Sequence, residues 1–361
     1  MLRTSAAILA IIGIFSCENT WMKNLLTVKG DGTAGNPFRV YNKKTLQHVG
    51  NPDSDTYSEW TLNAHYIQTQ NIDMAGEAPQ AIGDNSDKFT GSYNGNGKTI
   101  RNFEISKPTE QYQGLFGYID GATVKNIRLV NCQIEGGTNT GSIVGYNDGG
   151  LIQNCSAAGS VTGTSNNLGG IVGNLNSGTV QNCYFTGSVD GNSTNDNIGG
   201  VIGSNNSGTV QNCYTTGNVI GRASIGGVVG NNDNSGIVQN CYATGSVNGN
   251  SVIGGIAGSS SGTVRNCVAL NTSITGTTNI GRVVGYGNTV NLSNNYAFED
   301  LPTGSGSWPI YDGANVSLIE YHSDTWWKTE SYWNTTSPAF AWDFVKVWRW
   351  DSGIKLPVLR N

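Results

Sequence analysis

Charge is scarce in this sequence: Asp, Glu, Lys and Arg together make 12% of the 361 residues, about half the ordinary share. That excludes a disordered chain kept expanded by its charges. Net charge is −5 and no basic run occurs, so the electrostatic footprint of a nucleic-acid binder is missing. Histidine is as rare, with only His48, His65 and His322. A metallopeptidase helix needs two histidines one turn apart with a glutamate between them, and these three are not so placed. P-loop and calcium nonapeptide patterns are lacking, and no strand-to-helix nucleophile elbow is expected. Long apolar runs are also missing beyond the first residues, so no later stretch spans a bilayer.

The start of the chain is different. One positive charge, Arg3, precedes an apolar run from Ala6 to Phe15, too short for a span and proportioned as a secretory signal peptide. It ends in "IFSC", which resembles a bacterial lipobox with Cys17 as the acylated residue, although Phe15 stands where a small residue is usual. Ordinary signal-peptidase cleavage nearby is the alternative. The expectation is a lipoprotein signal peptide over residues 1–17 and a linker over 18–30. The mature protein is then exported, to the cell surface or outer membrane, and touches the membrane through a lipid anchor only.

What is abundant is glycine, 51 residues or about 14% of the chain, and it recurs in register. Asn126, Asn154, Asn182, Asn212, Asn240, Asn266 and Asn294 stand 28, 28, 30, 28, 26 and 28 residues apart. Two positions before each is an aliphatic residue; one position after stand Ile127, Cys155, Cys183, Cys213, Cys241, Cys267 and Asn295. A "GGIVG" block recurs in step, and no segment has a helical period. A unit of this length cannot bury its own apolar face, so it stacks on its neighbours. At about 4.8 Å per rung, seven copies predict an all-β parallel β-helix on the order of 34 Å long.

The columns predict side-chain direction. In "TVQNCY", Val180 points inward, Gln181 outward, Asn182 makes the corner and Cys183 points inward again. Asparagine tolerates the left-handed backbone of such a corner, and stacked amides bond from rung to rung. Cysteine in a column shared with Ile127 reads as a small apolar filler. Disulfides and a metal-binding thiol ladder are the alternatives. Stacked Cβ atoms about 4.8 Å apart suit a disulfide poorly. Cys132 falls out of phase with the column.

"NCYFTGSVDGN" and "GGVIGSNNSGTVQNCY" resemble the GLUG repeat of bacterial surface proteins, found also beside some IgA-cleaving metallopeptidases whose peptidase motif is missing here. The flanks, "GDGTAGNPFRVYNKKTLQHVG" and "AWDFVKVWRWDSGIKLPVLR", are similar to the opening and closing segments of such proteins. The resemblance implies a right-handed β-helix of about seven coils. Its expected organisation is an N-terminal capping module with a first coil over 31–110, solenoid repeats over 111–298 and a Trp-rich cap over 299–361.

Candidate chemistry is sparse. Between residues 111 and 298 there are six acids and five bases, and only Asp190 and Asp196 share a loop, which is thin support for a polysaccharide-acting enzyme. Seven tryptophans (Trp308, Trp326, Trp327, Trp333, Trp342, Trp348 and Trp350) follow residue 300, as a packed cap or a carbohydrate-stacking surface. Tyr184, Tyr214 and Tyr242 follow the cysteines and point outward on consecutive rungs, either as a stabilising stack or as an aromatic strip for a glycan or protein. The functional expectation is a non-enzymatic surface protein that adheres through a rigid wall, with no cofactor or metal. A structural spacer is the alternative.

Overall fold

A computed structural model describes residues 30–53, 56–233, 235–288, 291–302, 309–333 and 342–360. The signal peptide with Cys17, the linker up to residue 29, and Trp308 lie outside the described residues.

One coil explains the rest. Thr179–Gln181 forms a first wall, Tyr184–Asp190 a second, Asp196–Gly199 a third and Ile202–Asn205 a fourth. The next coil repeats them directly above and parallel, so that Val180 pairs with Val210, Tyr184 with Tyr214, Ile198 with Ile225 and Ile202 with Val229. Among the described residues the four walls are parallel sheets of ten, fourteen, six and seven strands, the second wall holding two strands in several coils. The chain is a parallel β-solenoid.

The corners follow from the asparagines. Each Asn of the column from Asn126 to Asn294 has φ between 52° and 57°, a left-handed turn that takes the first wall into the second. The amides form a ladder along the axis: Asn154 donates to Asn126 at 3.2 Å, Asn182 to Asn154 at 3.1 Å and Asn212 to Asn182 at 3.3 Å. A second left-handed column, Asn139, Asn167 and Asn197, opens the third wall and is laddered in the same way. The fourth wall returns to the first through buried Asn147 and Asn205, each clasping the backbone three residues on at Gly150 and Gly208. These bonds leave few orphaned polar groups in the tight turns.

Inside, Val124, Ile152, Val180, Val210, Val238 and Val264 stack as a buried row beside Cys155, Cys183, Cys213, Cys241 and Cys267. All six described cysteines are free thiols. Each thiol of the row lies against the carbonyl two residues earlier, as Cys183 Sγ does on Gln181 O at 3.2 Å. Burial pushes the thiols of Cys155, Cys183 and Cys241 well up from their ordinary value. Cys132 is explained by a bulge. The ladder shifts register at Ala158/Gly159, pairing Cys132 with Gly159, and the thiol turns into the core. A Cβ at Gly159 would collide with the Cys132 carbonyl, which fixes glycine there.

The coil count exceeds the expected seven. The first wall has ten strands because Phe38–Val40, His65–Gln68 and Ser92–Asn94 continue it toward the N-terminus. These early rungs lack the Asn-Cys signature and fill the same inward column with Tyr66 and Tyr93. The helix Lys43–Gln47, opened by an Asn42–Thr45 capping box, sends Leu46 into this end of the core. At the other end Ala314–Val316 adds a last parallel strand on Tyr296–Phe298. Two short helices, Leu318–Tyr321 and Asp324–Lys328, follow, and the chain closes with the hairpin Trp348–Asp351 with Leu356–Leu359.

Candidate functional site

The outward column of the second wall reads Arg128, Ser156, Tyr184, Tyr214, Tyr242, Val268 and Tyr296 in successive coils. The three consecutive tyrosines stack as their spacing requires, with ring centroids 4.9 Å apart and planes within 5° for Tyr184–Tyr214 and 2° for Tyr214–Tyr242. They are not an open strip. Tyr242 is 0% exposed and Tyr214 7%, because the C-terminal segment turns back along the outside of this wall. Trp348 packs on both rings, at 6.2 Å from Tyr214 and 6.1 Å from Tyr242, and Trp327 and Trp342 also face Tyr242. The Tyr242 hydroxyl donates to Pro357 O at 2.7 Å, and Trp342 Nε1 to Asn266 O at 3.2 Å. Burial pushes the Tyr214 and Tyr242 hydroxyls up from their ordinary value. Thus the expectation of a binding surface at Tyr214 and Tyr242 is corrected. The wall's apolar strip is already covered, by the chain's own tryptophans, which form a second core with it.

Tyr184 differs from the other two. One ring face lies on Tyr214; the next coil offers only Ser156 at this position, and the coil beyond offers Arg128. The stack therefore ends in a hollow of about 410 Å³, lined by Tyr184, Ser156, Arg128 and the laddered Asn126, Asn154 and Asn182, with Leu359 and Arg360 at its edge. Each lining amide spends one N–H on the ladder; Asn126 donates to Asn94 at 2.9 Å, and its second N–H is free of the ladder. Arg360 is held by the carbonyls of Trp348 and Phe344, both at 2.8 Å, and has no ion-pair partner among the described residues. Arg128 is exposed and has no ion-pair partner among the described residues. Among the described residues no carboxylate lines the hollow. Residue columns alone place Tyr184 and Arg128 here, but not Arg360, which arrives from the far end of the chain.

Other chemistry-bearing groups are spent locally. Asp196 is paired with Arg222, and Asp190 accepts from Asn192 N at 2.7 Å, so the two acids do not converge on a substrate. The spacing G-x-S-x-G does occur at Gly258–Gly262, but Ser260 lies buried in a strand, donating to Gly262 O and accepting from Asn232, with no elbow. Among the described residues no three His, Cys, Asp or Glu side chains gather as a metal site. On the fourth wall the Tyr118 and Tyr146 rings meet at 4.6 Å, tilted by 35°, with Tyr112 beside them, and Lys88 sits 4.8 Å over the Tyr118 ring. The sequence reading missed this group, although "GYID" and "GYND" recur one unit apart.

The GLUG motif matches residues 136–162, 164–190 and 221–248. The chain carries GLUG repeats. Halomucin of Haloquadratum walsbyi is 33% identical over 121 residues, 32% of this chain and 1% of that protein. A protein of Evansella cellulosilytica described as a "putative Gly-rich membrane protein" is 35% identical over 101 residues, 28% of this chain and 12% of the relative. The chain therefore spans only a small part of either. A solved structure from Bacteroides ovatus, described as a "putative immunoglobulin A1 protease", superposes with a TM-score of 0.60 at 20% identity, covering 93% of this chain and 95% of that one. At that identity the likeness concerns the fold.

Proposed function

We propose that the GLUG chain is a non-enzymatic surface β-solenoid that binds a glycan through the outer side of its second wall. The observation that carries this reading is the hollow at the end of the tyrosine stack. There an aromatic ring face, a serine hydroxyl and a row of half-used amides meet at regular rung spacing. Sugars present an apolar ring face and a rim of hydroxyls, and such a surface offers a partner to each. Export and surface display are supported by the lipobox-like "IFSC" and by relatives described as a mucin and a membrane protein. A structural spacer is the second reading, favoured by the wall's longest aromatic strip being covered in cis.

A glycan array separates the two. The wild-type chain is expected to be retained on a subset of glycans and Tyr184→Ala to be released, the variant staying folded with its urea midpoint lowered only by the lost stacking on Tyr214, about 0.5–1.5 kcal/mol. A wild-type chain retained on no glycan supports the spacer. Protease accessibility on intact cells tests the location, and protection from added protease would remove surface adhesion.

A further inference from the structure

We infer that the hollow beside Tyr184 takes a pyranose ring bearing an anionic substituent, a carboxylate or a sulfate; this rests on the glycan-binding reading above. Tyrosines occupy three successive rungs at 4.9 Å, and the next rung toward the N-terminus carries Ser156, whose side chain leaves the place of a ring empty. One rung further stands Arg128. Tyr184 and Arg128 are therefore two rungs, about 9.6 Å, apart along the axis, and a single sugar ring seated at the Ser156 level fills that space. It would rest on the free face of Tyr184 as Tyr214 rests on the other face, with its hydroxyls toward the amides of Asn154 and Asn182.

Charge then selects among sugars. The chain carries −5 overall, yet the described residues that line this hollow include two arginines and no acid. Arg360 is fixed by two backbone carbonyls, and Arg128, without an ion-pair partner among the described residues, can make a bidentate contact on a carboxylate or sulfate. An aromatic side chain from a partner protein would also sit between Tyr184 and Arg128. It would leave the amide row without partners and the second guanidinium without a counter-charge, so the anionic sugar is favoured.

The test is calorimetric titration of the full chain with oligogalacturonate, a sulfated galactan oligosaccharide, an uncharged galacto-oligosaccharide and a tryptophan-containing peptide. Binding of at least one anionic oligosaccharide, at least tenfold tighter than the neutral one, is expected, and the first two arms tell carboxylate from sulfate. Arg128→Gln should weaken the anionic sugar at least tenfold and flatten its salt dependence; Tyr184→Ala should abolish binding. Both residues lie on the outer face, and a circular dichroism spectrum confirms that each variant folds. Equal affinity for charged and neutral sugars, indifference to Arg128→Gln, tighter binding of the peptide, or no binding of either anionic sugar overturns the inference. If the array retains the chain on neutral glycans through Tyr184, only the charge assignment falls. If array and titrations are both blank, the glycan-binding reading falls with it.

Discussion

Val252 has φ 58°, in a column that holds Asn139, Asn167, Asn197, Ser224 and Asn279 on other coils, all left-handed. The ladder that starts with Asn139, Asn167 and Asn197 stops where the column changes to Ser224 and then Val252. A left-handed conformation costs an ordinary L-residue about 1–2 kcal/mol, and a β-branched one is strained most. Since Val252 is only partly buried, little core is lost by replacing it. Val252→Asn is therefore expected to raise unfolding stability by about 1 kcal/mol, measured by urea titration. An unchanged or lower midpoint would show that its methyl groups contribute more than its backbone costs. The reverse change, Asn182→Ala, is expected to lose about 1–2 kcal/mol of corner conformation, plus the ladder bonds on either side.

At the scale of elements, the C-terminal segment that folds back on the second wall decides how the tyrosines behave. If they were a free strip, removing one would barely move stability. Tyr242 is instead fully buried between Tyr214 and three tryptophans, so Tyr242→Ala is expected to cost about 3–5 kcal/mol. Trp348→Ala should detach the hairpin Trp348–Asp351 with Leu356–Leu359 while leaving the solenoid paired. Hydrogen exchange would show this as lost protection over residues 342–360 with the second-wall strands still protected; loss across both would mean that the two unfold together. The sequence foretold the wall but not its cover. A column such as Asn-Cys-Tyr is local and repeated, so inward and outward directions follow from it: Val180 and Cys183 are indeed buried and Gln181 turned out. Which surface the tryptophans would choose depends on contacts more than 100 residues apart, such as Tyr242 to Pro357, and no repeat records them. The early rungs were illegible for a related reason: Tyr66 and Tyr93 fill the inward column by volume, and the left-handed corner after Tyr93 falls at Asn96, one position later than the asparagine of the repeat column.

For the whole molecule, four buried thiols, Cys132, Cys155, Cys183 and Cys241, make stability depend on alkaline pH. Cys132 is pushed by burial from 9.0 up to about 12, and Cys155, Cys183 and Cys241 are pushed up for the same reason. The native state thus keeps protons that the unfolded chain releases near its ordinary thiol value. Between those two values the unfolded state binds fewer protons, so stability is fully present below pH 9 and falls as pH rises. The slope is about 1.4 kcal/mol per pH unit for each such thiol. Because the coils share one continuous core, several thiols titrate against the same unfolding event, and buried tyrosines such as Tyr66 and Tyr93 add to the fall above their ordinary value of 10.0. Urea unfolding between pH 7 and pH 11, under reducing conditions, should therefore show a plateau followed by a steep loss. Cys183→Val separates this cause from general alkaline damage, since the column already accepts an aliphatic side chain at Ile127. At pH 7 the variant should stay within about 1.5 kcal/mol of the wild type. Above pH 9 its loss should be shallower by about 1.4 kcal/mol per pH unit. A wild-type stability that stays flat to pH 11, or a Cys183→Val slope equal to it, would mean that the thiols ionise in place and that the row is not the dry, close-packed stack on which the solenoid core depends.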